Sequence, residues 1–483
     1  MLPLLFFGAV CAIIDERPGY ILPGKTRIRV MNLAENRDLL LARQLAEAVA
    51  EAGGRAYFVG GYVRDALLGA DCKDIDIEVY GISPETLRAL LADLGEVLEK
   101  GAAFGVLGLA HTNLDIAMPR TESRTGGRHT DFDVSVDPYL SPREASRRRD
   151  FTFNAMMMDV LSGEILDAWG GREDLRARVV RHVSDETFAD DALRVFRAAQ
   201  FAARFEATLA PETQALCARM DVTQISRERV FDELCKALLK AERPSVFFRL
   251  LAETDHLKEF FPEVGQTRGV PQNPVYHPEG DVFEHTMLVL DCAAALRDQA
   301  EWPLGFMLAA LCHDLGKFNA TEIREDGKIT AYAHPMTGVP LTETQLGRLT
   351  SHVKLSRYVT NMVALHMRPN ALANCRSKKK KTRMLFDASV CPFDLILLSR
   401  ADASGKTDAP YNMDNWEFLL ERLEDYKQVM QRPMVTGQDL VNAGFKPGEN
   451  FKGLLQRARE LHFSGLEKQR VLRQLLGEAP KRG

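Results

Sequence analysis

Two acids one residue apart, Asp74 and Asp76 in Lys73-Asp74-Ile75-Asp76-Ile77, could hold divalent cations. The alternation is that of a strand, which puts both carboxylates on one face and turns Ile75 and Ile77 into the core. Side by side they repel each other unless a cation sits between them. A pair of Mg²⁺ ions held in this way could activate an attacking hydroxyl and neutralise a triphosphate. A bare D-x-D is more often an exposed strand face with two chance acids. The stretch in front reverses those odds. Tyr57 to Val59 reads as a buried strand, Gly60-Gly61 as a turn, and Val63 to Leu68 as a helix with Gly69 as its stop. Strand, glycine turn and helix start bind phosphate because backbone N–H groups point outward, no Cβ blocks approach and the helix end is partly positive. Arg64, one turn in, can add a bidentate phosphate contact.

A second constellation begins near residue 281. His285 lies on an amphipathic helix, His313-Asp314 ends an apolar helix, and His334, His366 and Asp402 follow in AYAHPMTGV, VALHMRP and SRADASG. A lone histidine on an apolar helix is usually a hydrogen-bonded core residue. Five such positions around a His-Asp dipeptide are hard to obtain by chance, and imidazole with carboxylate suits divalent transition metals. A third group, Asp191, Arg194 and Arg197 in ADDALRVFRAAQFAARF, is spaced i, i+3, i+6 along one helix face. Alone, it reads as an ordinary amphipathic helix with surface charges.

The elements that position these residues can be read in outline. A helical pattern over 33–52 precedes the glycine turn, and a helix is expected over 84–94. Val106 to Ala110 and Leu114 to Ala117 read as a strand pair turning at Thr112-Asn113, with Asp115 in the second strand, where by pattern alone it is a solvated strand acid. Residues 121–137 are polar, glycine-containing and without period, and read as a mobile loop. From about 176 the pattern is helical. The run Arg376 to Arg383 (RSKKKKTR) reads as a solvated loop that could also bind RNA phosphate. SGKT at 404–407 lacks the upstream glycine and strand of a P-loop.

Length and composition set bounds. A chain of 483 residues suggests about three domains, and 46% hydrophobic with 27% charged residues is ordinary globular material. Eight cysteines without a C-x-x-C pair point to reduced cytosolic thiols rather than disulfides or a zinc knuckle. A net charge of −5 excludes a globally basic nucleic-acid binder, so RNA contacts must come from local patches. Residues 1–14, MLPLLFFGAVCAII, are too short for a membrane span and lack the basic region and cleavage site of a signal peptide. A start at Met31 or an N-terminal extension over 1–30 is favoured over secretion, and no membrane partner is expected.

GGYVRD followed by KDIDIEV resembles the head of the class II tRNA nucleotidyltransferases (CCA-adding enzymes) and the related bacterial poly(A) polymerases. The resemblance implies a polymerase-β-like α/β head over 31–175, a helical neck over 176–245, an HD domain over 246–430 and a helical tail over 431–483. It implies Asp74 and Asp76 as Mg²⁺ ligands, with Asp115 as the third acid, and Gly60, Gly61 and Arg64 as the triphosphate clamp. Arg149, Asp150 and Asn154, in Arg149-Asp150-Phe151-Thr152-Phe153-Asn154-Ala155, resemble the family's ribose-recognition motif. A polar pair there suits a 2′-hydroxyl. Asp191 and Arg194, with Arg197, would form the protein template that selects the incoming base by offering an acceptor and a donor fork. Two departures stand out: Asp190 replaces a usual Glu, and Gln200 stands where some members carry arginine.

The order H…HD…H…H…D resembles the HD phosphohydrolases. It implies His285, His313, Asp314 and Asp402 as the primary metal set, for Ni²⁺, Mn²⁺ or Co²⁺, with His334 and His366 as second-metal ligands or phosphate contacts. The expected activity is addition of CCA to tRNA 3′ ends from CTP and ATP, with a phosphohydrolase behind it. The rivals are a poly(A) polymerase, a CC-only or A-only enzyme, an HD phosphohydrolase with an RNA-binding head, and a non-catalytic tRNA-binding protein.

Overall fold

Asn36 holds an extended backbone and its side chain accepts the N–H groups of Asp38 and Leu39, which starts helix α1 (Arg37–Glu51). Leu39, Ala42, Leu45, Ala46 and Val49 are its buried stripe, at the three- and four-residue spacing of an amphipathic helix. The structure, a computed structural model, describes residues 36–70, 72, 74–101, 105–124, 132–406, 412–448 and 450–478. The apolar stretch 1–14, the Met31 start and Lys73 lie outside the described residues, as do residues 33–35 of the expected first helix and Thr407 of SGKT.

β1 (Arg55–Val59), α2 (Gly61–Leu67), β2 (Ile75–Tyr80), α3 (Pro84–Leu94), β4 (Val106–Leu109) and β5 (Leu114–Ala117) follow within a few residues of their expected positions, and an unexpected strand, β3 (Val97–Gly101), stands between α3 and β4. Ser83 caps α3 through the amide of Thr86, with Pro84 in the first turn. After β6 (Arg120–Arg124) and β7 (Phe132–Val136), strands β8 (Met157–Asp159) and β9 (Ile165–Leu166) complete a seven-stranded sheet ordered β3-β4-β5-β2-β1-β8-β9. β2 and β5 run parallel, and their register sets Asp76 opposite Asp115. The other neighbours in this sheet are antiparallel.

Three expectations need correction. β2 opens at Ile75, whose N–H bonds the Asn113 carbonyl at 3.1 Å, so Asp74 precedes the strand and is exposed instead of sharing a strand face with Asp76. Residues 121–137 are not simply a loop, because β6 pairs antiparallel with β7 from Arg120↔Val136 to Arg124↔Phe132. The alternation Phe132-Val134-Val136 was the missed signal, and residues 125–131 between the strands lie outside the described residues. The basic run 376–383 opens the helix Lys379–Ala388. Arg383 in it is buried, its Nε and Nη2 on Asp425 at 2.7 and 2.9 Å and its Nη1 on the Phe463 carbonyl at 2.8 Å. Lys378 and Lys381 stay exposed.

The chain divides into two compact units. The first runs through Ala198 and takes in Ala207–Ile225, and the second holds Ala199–Glu206 and Ser226 onward. Within the second, the helix Pro303–Cys312 is buried without a break from Gly305 to Cys312, the mark of a central helix with no solvent face. Helices Val282–Ala294, Val353–Leu365 and Pro392–Ser404 pack on it. Among the described residues no helix is long and apolar enough to cross a membrane, and the cysteines are free.

Candidate active sites

The glycine turn of the first unit has a backbone only glycine adopts readily: Gly60 has φ +65° and ψ −130°. A Cβ there would stand 3.1 Å from Arg149 Nη1 and 3.5 Å from Asp76 Oδ2. The turn thus lies directly against one expected metal ligand and one expected nucleotide contact. On its other side Arg64 Nη2 comes 3.5 Å from where a Gly61 Cβ would be. Arg64 is buried, contrary to a free phosphate clamp: its Nε donates to Asp65 Oδ1 at 2.8 Å and its Nη1 to Asn154 Oδ1 at 2.6 Å. Asn154 Nδ2 in turn donates to Asp150 Oδ1 at 2.9 Å. Arg197 Nε and Nη2 reach Asp150 Oδ2 at 2.8 and 2.5 Å. Burial alone would raise the Asp150 carboxyl, but Arg197 and the Asn154 hydrogen bond hold it below the ordinary carboxylate range. One buried relay, Arg64–Asn154–Asp150–Arg197, therefore ties the glycine turn to the ribose motif and the candidate template helix.

Asp76 is half-buried, and its carboxyl is pushed up by burial and by the charges of Asp115, Asp74 and Glu78, with Arg149 opposing. Burial first, and the neighbouring acids after it, disfavour its ionised form, which a cation would stabilise, although among the described residues Asp74, Asp76 and Asp115 do not close into one three-ligand group. Asp115 is engaged otherwise, for Lys100 Nζ sits 2.5 Å from its Oδ1 and 3.0 Å from the Leu114 carbonyl. Asp191 does not share a helix face with Arg194 and Arg197. The helix begins at Arg194, and Asp191 lies in the turn before it, its Oδ1 accepting the Leu193 N–H at 3.1 Å. Aspartate competes with helical backbone in this way, which is why it sits ahead of the helix and not in it. Arg194 Nη1 and Nη2 donate to the carbonyls of Thr187 and Arg148 at 2.6 and 2.7 Å, and burial depresses its guanidinium pKa.

Glu78 was missed, although the alternation of Asp74 and Asp76 continues to it. It is buried, accepts the Tyr80 hydroxyl at 2.7 Å and pairs with Arg148 Nη2 at 3.1 Å, with Arg149 Nη2 at 3.9 Å. Despite burial, Arg149 and Arg148 hold its carboxyl below the usual range. Glu78 thus holds Arg148 by a charged hydrogen bond and keeps an ion-pair contact with Arg149, which stands at the turn. Glu78→Gln should raise KM for the incoming nucleotide about tenfold, with a smaller change in kcat, since it weakens both the charged hydrogen bond to Arg148, worth about 1.5–3 kcal/mol, and the ion pair with Arg149. Steady-state incorporation of labelled CTP reads this, and an unchanged KM would reduce Glu78 to a core fastening.

In the second unit all six expected metal residues converge. His313 follows the end of the helix Pro303–Cys312 and His366 the end of Val353–Leu365, so two partly negative helix C-termini face the site. The Nδ1 of His313, His334 and His366 donate to the carbonyls of Ala310, Ala331 and Val363 at 2.8, 2.8 and 2.7 Å. With Nδ1 so engaged, each ring turns its Nε2 inward. Asp314 divides its oxygens between two nests. Oδ2 lies 3.2 Å from His313 Nε2 and 3.6 Å from His285 Nε2, while Oδ1 lies 3.2 Å from His334 Nε2 and 3.7 Å from His366 Nε2. Asp402 Oδ1 joins the first nest, 3.1 Å from His285 Nε2.

Lone pairs of His334 and His366 face each other at 3.2 Å, and His313 Nε2 is a buried atom without a hydrogen-bond partner. Facing lone pairs and an orphaned imidazole nitrogen are what a cation would satisfy, so this site too fits metal. Burial, with His313 and His334, pushes His366 down to about 3, keeping it a neutral donor. Burial would raise Asp314, but His313 and Lys317 hold it well below the ordinary range.

Around these ligands stand residues the sequence reading passed over. Glu279 Oε1 accepts from His285 Nδ1 at 2.7 Å and from His277 Nδ1 at 2.9 Å, fixing the tautomer of His285. Lys317 Nζ bridges Asp314 Oδ2 at 2.7 Å and Gln272 Oε1 at 2.6 Å. His277 and Glu279 lie in a proline-flanked loop without period, which hid them. Lys317 stood in view in His313-Asp314-Leu315-Gly316-Lys317. Gly316 in that run is needed for close approach, because a Cβ would strike the His334 carbonyl and the Gly338 backbone. It lets the His-Asp turn pack onto the start of the helix that carries His334.

Comparison with known proteins places this geometry. A family model described as "Poly A polymerase head domain" matches residues 56–181, and one described as "Probable RNA and SrmB- binding site of polymerase A" matches 208–266. The Multifunctional CCA protein of Hahella chejuensis is 35% identical over 406 residues, covering 78% of this chain and 89% of that protein. That of Mannheimia succiniciproducens is 33% identical, covering 81% and 93%. Among solved structures, the Bacillus stearothermophilus CCA-adding enzyme in complex with CTP aligns with a TM-score of 0.62 at 23% identity, covering 92% of this chain and 98% of that one. The Thermotoga maritima CCA-adding enzyme complexed with tRNA aligns with a TM-score of 0.60 at 18% identity, covering 92% and 97%. The fold is a polymerase-β-like nucleotidyltransferase head followed by helical regions, and the chain belongs to the family of class II CCA-adding enzymes and poly(A) polymerases.

Proposed function

We propose that this protein adds CCA to tRNA 3′ ends from CTP and ATP, and that its second unit is a metal-dependent phosphohydrolase. The first activity is that of its relatives, named for CCA and solved with tRNA, CTP and ATP. The observation that carries it here is the glycine turn lying against both Asp76 and Arg149. Divalent cations, Mg²⁺ above all, held by Asp74 and Asp76 with Asp115 beside them would neutralise the triphosphate and activate the attacking hydroxyl. Gly60 and Gly61 allow the phosphates close to the backbone, and Arg149 supplies a guanidinium there. Arg64, through Asn154 and Asp150, keeps the turn and the ribose motif in register. The RNA 3′-oxygen bonds to the α-phosphorus as the α–β bridging bond breaks, and pyrophosphate leaves. The test is product analysis with labelled CTP and ATP on tRNA ending at the discriminator base, at −C and at −CC. Completion to CCA and no further supports the reading, whereas runs of A would make it a poly(A) polymerase.

Asp191 and Arg194 are proposed to select the base, with Arg197 holding the helix through Asp150. Asp191→Ala and Arg194→Ala should each change nucleotide choice more than rate, lowering the preference for CTP and ATP over UTP and GTP about tenfold, as loss of a bidentate partner costs about 1–3 kcal/mol. Competition assays with all four nucleotides check this, and wild-type preference in both variants would make Asp191 a mere helix-opening acid.

For the second unit, the observation is the division of Asp314 between two imidazole nests. His285, His313, Asp314 and Asp402 would hold one ion, and Asp314, His334 and His366 a second. Transition-metal ions such as Ni²⁺, Mn²⁺ or Co²⁺ bound there would supply a nucleophilic hydroxide and charge neutralisation at phosphorus. Glu279 and the backbone carbonyls orient the imidazoles, and Lys317 adds positive charge beside Asp314. Hydrolysis adds water across the ester: the oxygen of water bonds to phosphorus, the ester P–O bond breaks, and the alcohol leaves with a proton.

A further inference from the structure

Lys100 reaches an acid two strands away. Where β3 pairs with β4, Val97, Leu98 and Glu99 face Leu109, Gly108 and Leu107, while Gly101 faces Val106. Lys100 is therefore an extra residue in the ladder. Such a β-bulge bends the strand and re-aims the side chain it carries. The Lys100 stem lies over Gly108 of β4. A Cβ at Gly108 would stand 2.5 Å from Lys100 Cε and 3.0 Å from its Cδ, so any larger residue there would push the lysine aside. Beyond Gly108 the ammonium arrives at β5, where it meets Asp115 Oδ1 at 2.5 Å and donates to the Leu114 carbonyl at 3.0 Å.

The register sets these residues in one row across the sheet. Gly108 is paired with Asp115 between β4 and β5, and Asp115 with Asp76 between β5 and β2. Residues paired across strands share a face, and the charge of Asp115 bears on Asp76. A lysine–aspartate pair at a surface contributes little by itself, and here Lys100 is 32% and Asp115 45% exposed. A bulge, a glycine trough and a second hydrogen bond nonetheless converge to hold this one beside a candidate metal ligand. The oxygen that Lys100 holds belongs to the acid that, among the described residues, does not close into one ligand group with Asp74 and Asp76.

We propose that Lys100 is the resident cation of Asp115, competing with divalent metal for that acid and so weakening the hold of the head on Mg²⁺. A positive charge lodged on one carboxylate opposes a dication beside it. Lys100 is thus a positioning residue that acts through Asp115, and this rests on the reading of Asp74 and Asp76 as the metal pair. The experiment follows Mg²⁺ binding to the full-length protein by titration calorimetry, with the heat that survives in Asp76→Ala subtracted as binding elsewhere. Lys100→Met keeps the apolar stem and removes the charge. It should tighten Mg²⁺ binding by the head about tenfold, the effect of one charge at a partly exposed acid. The Mg²⁺ concentration that half-saturates CTP incorporation should fall alongside. With Asp115→Asn already in place, the same substitution should change Mg²⁺ affinity by less than about twofold, because the cycle isolates the pair. A mere fastening of β3 gives no such gain, since its loss would loosen Asp115. Equal or weaker Mg²⁺ binding in Lys100→Met, or a gain that persists in full with Asp115→Asn, overturns the inference. A raised KM for CTP would then mark Lys100 as a phosphate contact. If Asp76→Ala binds Mg²⁺ as the wild type does, the metal-pair reading itself fails and the inference falls with it.

Discussion

Asp76→Ala abolishes nucleotide addition while leaving tRNA affinity near that of the wild type: this is the largest effect expected in the first unit. The carboxyl stands against the glycine turn, is paired with Asp115 in the parallel β2–β5 register and is pushed up by burial and by the acids around it. Removing it deletes the group best placed to hold cation charge where pyrophosphate departs. Loss of one well-aimed electrostatic group costs about 10²–10³-fold in kcat, and a metal ligand should cost at least that. Grip on RNA comes from basic groups and shape elsewhere, so it should persist. Asp74→Ala should behave alike, although Asp74 lies ahead of the strand. Lys100→Ala separates the roles of Asp115. If Asp115 serves mainly to pin β3 through Lys100, Lys100→Ala and Asp115→Ala should show the same modest loss. A tenth or more of wild-type rate surviving in Asp76→Ala would sink the two-metal assignment.

How far the sequence carried these conclusions depends on the range of each interaction. The glycine turn and its strands were legible because alternation and Gly-Gly are local signals, read within a dozen residues. The convergence of His285, His313, Asp314, His334, His366 and Asp402 was legible by type, since so many histidines and acids on or beside apolar helices are hard to obtain by chance. The bond of Arg64 to Asn154 was not legible because the two are ninety positions apart in the chain. No local pattern reports that a guanidinium is already committed to a buried amide. Asp191 was placed on the helix because spacing alone cannot say where a helix starts when Asp can satisfy the amide two residues after it, here that of Leu193. Glu279 and His277 escaped for the opposite reason: they matter as partners of His285, and a partner in an irregular loop has no period to betray it. Glu78 should have been found, because it continues the alternation that exposed Asp74 and Asp76.

In the second unit the largest effect should come from Asp314, the one residue shared by both nests. Asp314→Asn keeps the shape but removes the charge that His285, His313, His334, His366 and Lys317 surround. Hydrolysis of 2′,3′-cyclic or 2′-phosphoesters should fall at least about 10²-fold, and the bound transition metal measured by elemental analysis should fall with it. Leaving Lys317 buried without its carboxylate is costly, since breaking a buried pair typically destabilises by about 3–5 kcal/mol. His313→Ala is therefore the companion variant: it removes an orphaned imidazole rather than a charge, and should lose hydrolysis with less harm to folding. Both should retain CCA addition, because Asp76 lies in the first unit and both substitutions lie in the second. Asp74→Ala should show the reverse pattern, keeping hydrolysis and losing addition. That double dissociation distinguishes two working sites from one, and it contains its own folding control, since each variant must still perform the other reaction. Should the metal-stripped protein, reloaded with Ni²⁺, Mn²⁺ or Co²⁺ in turn, hydrolyse none of these esters above the level of His313→Ala, the nests would be reduced to a metal-shaped scaffold for the helical unit.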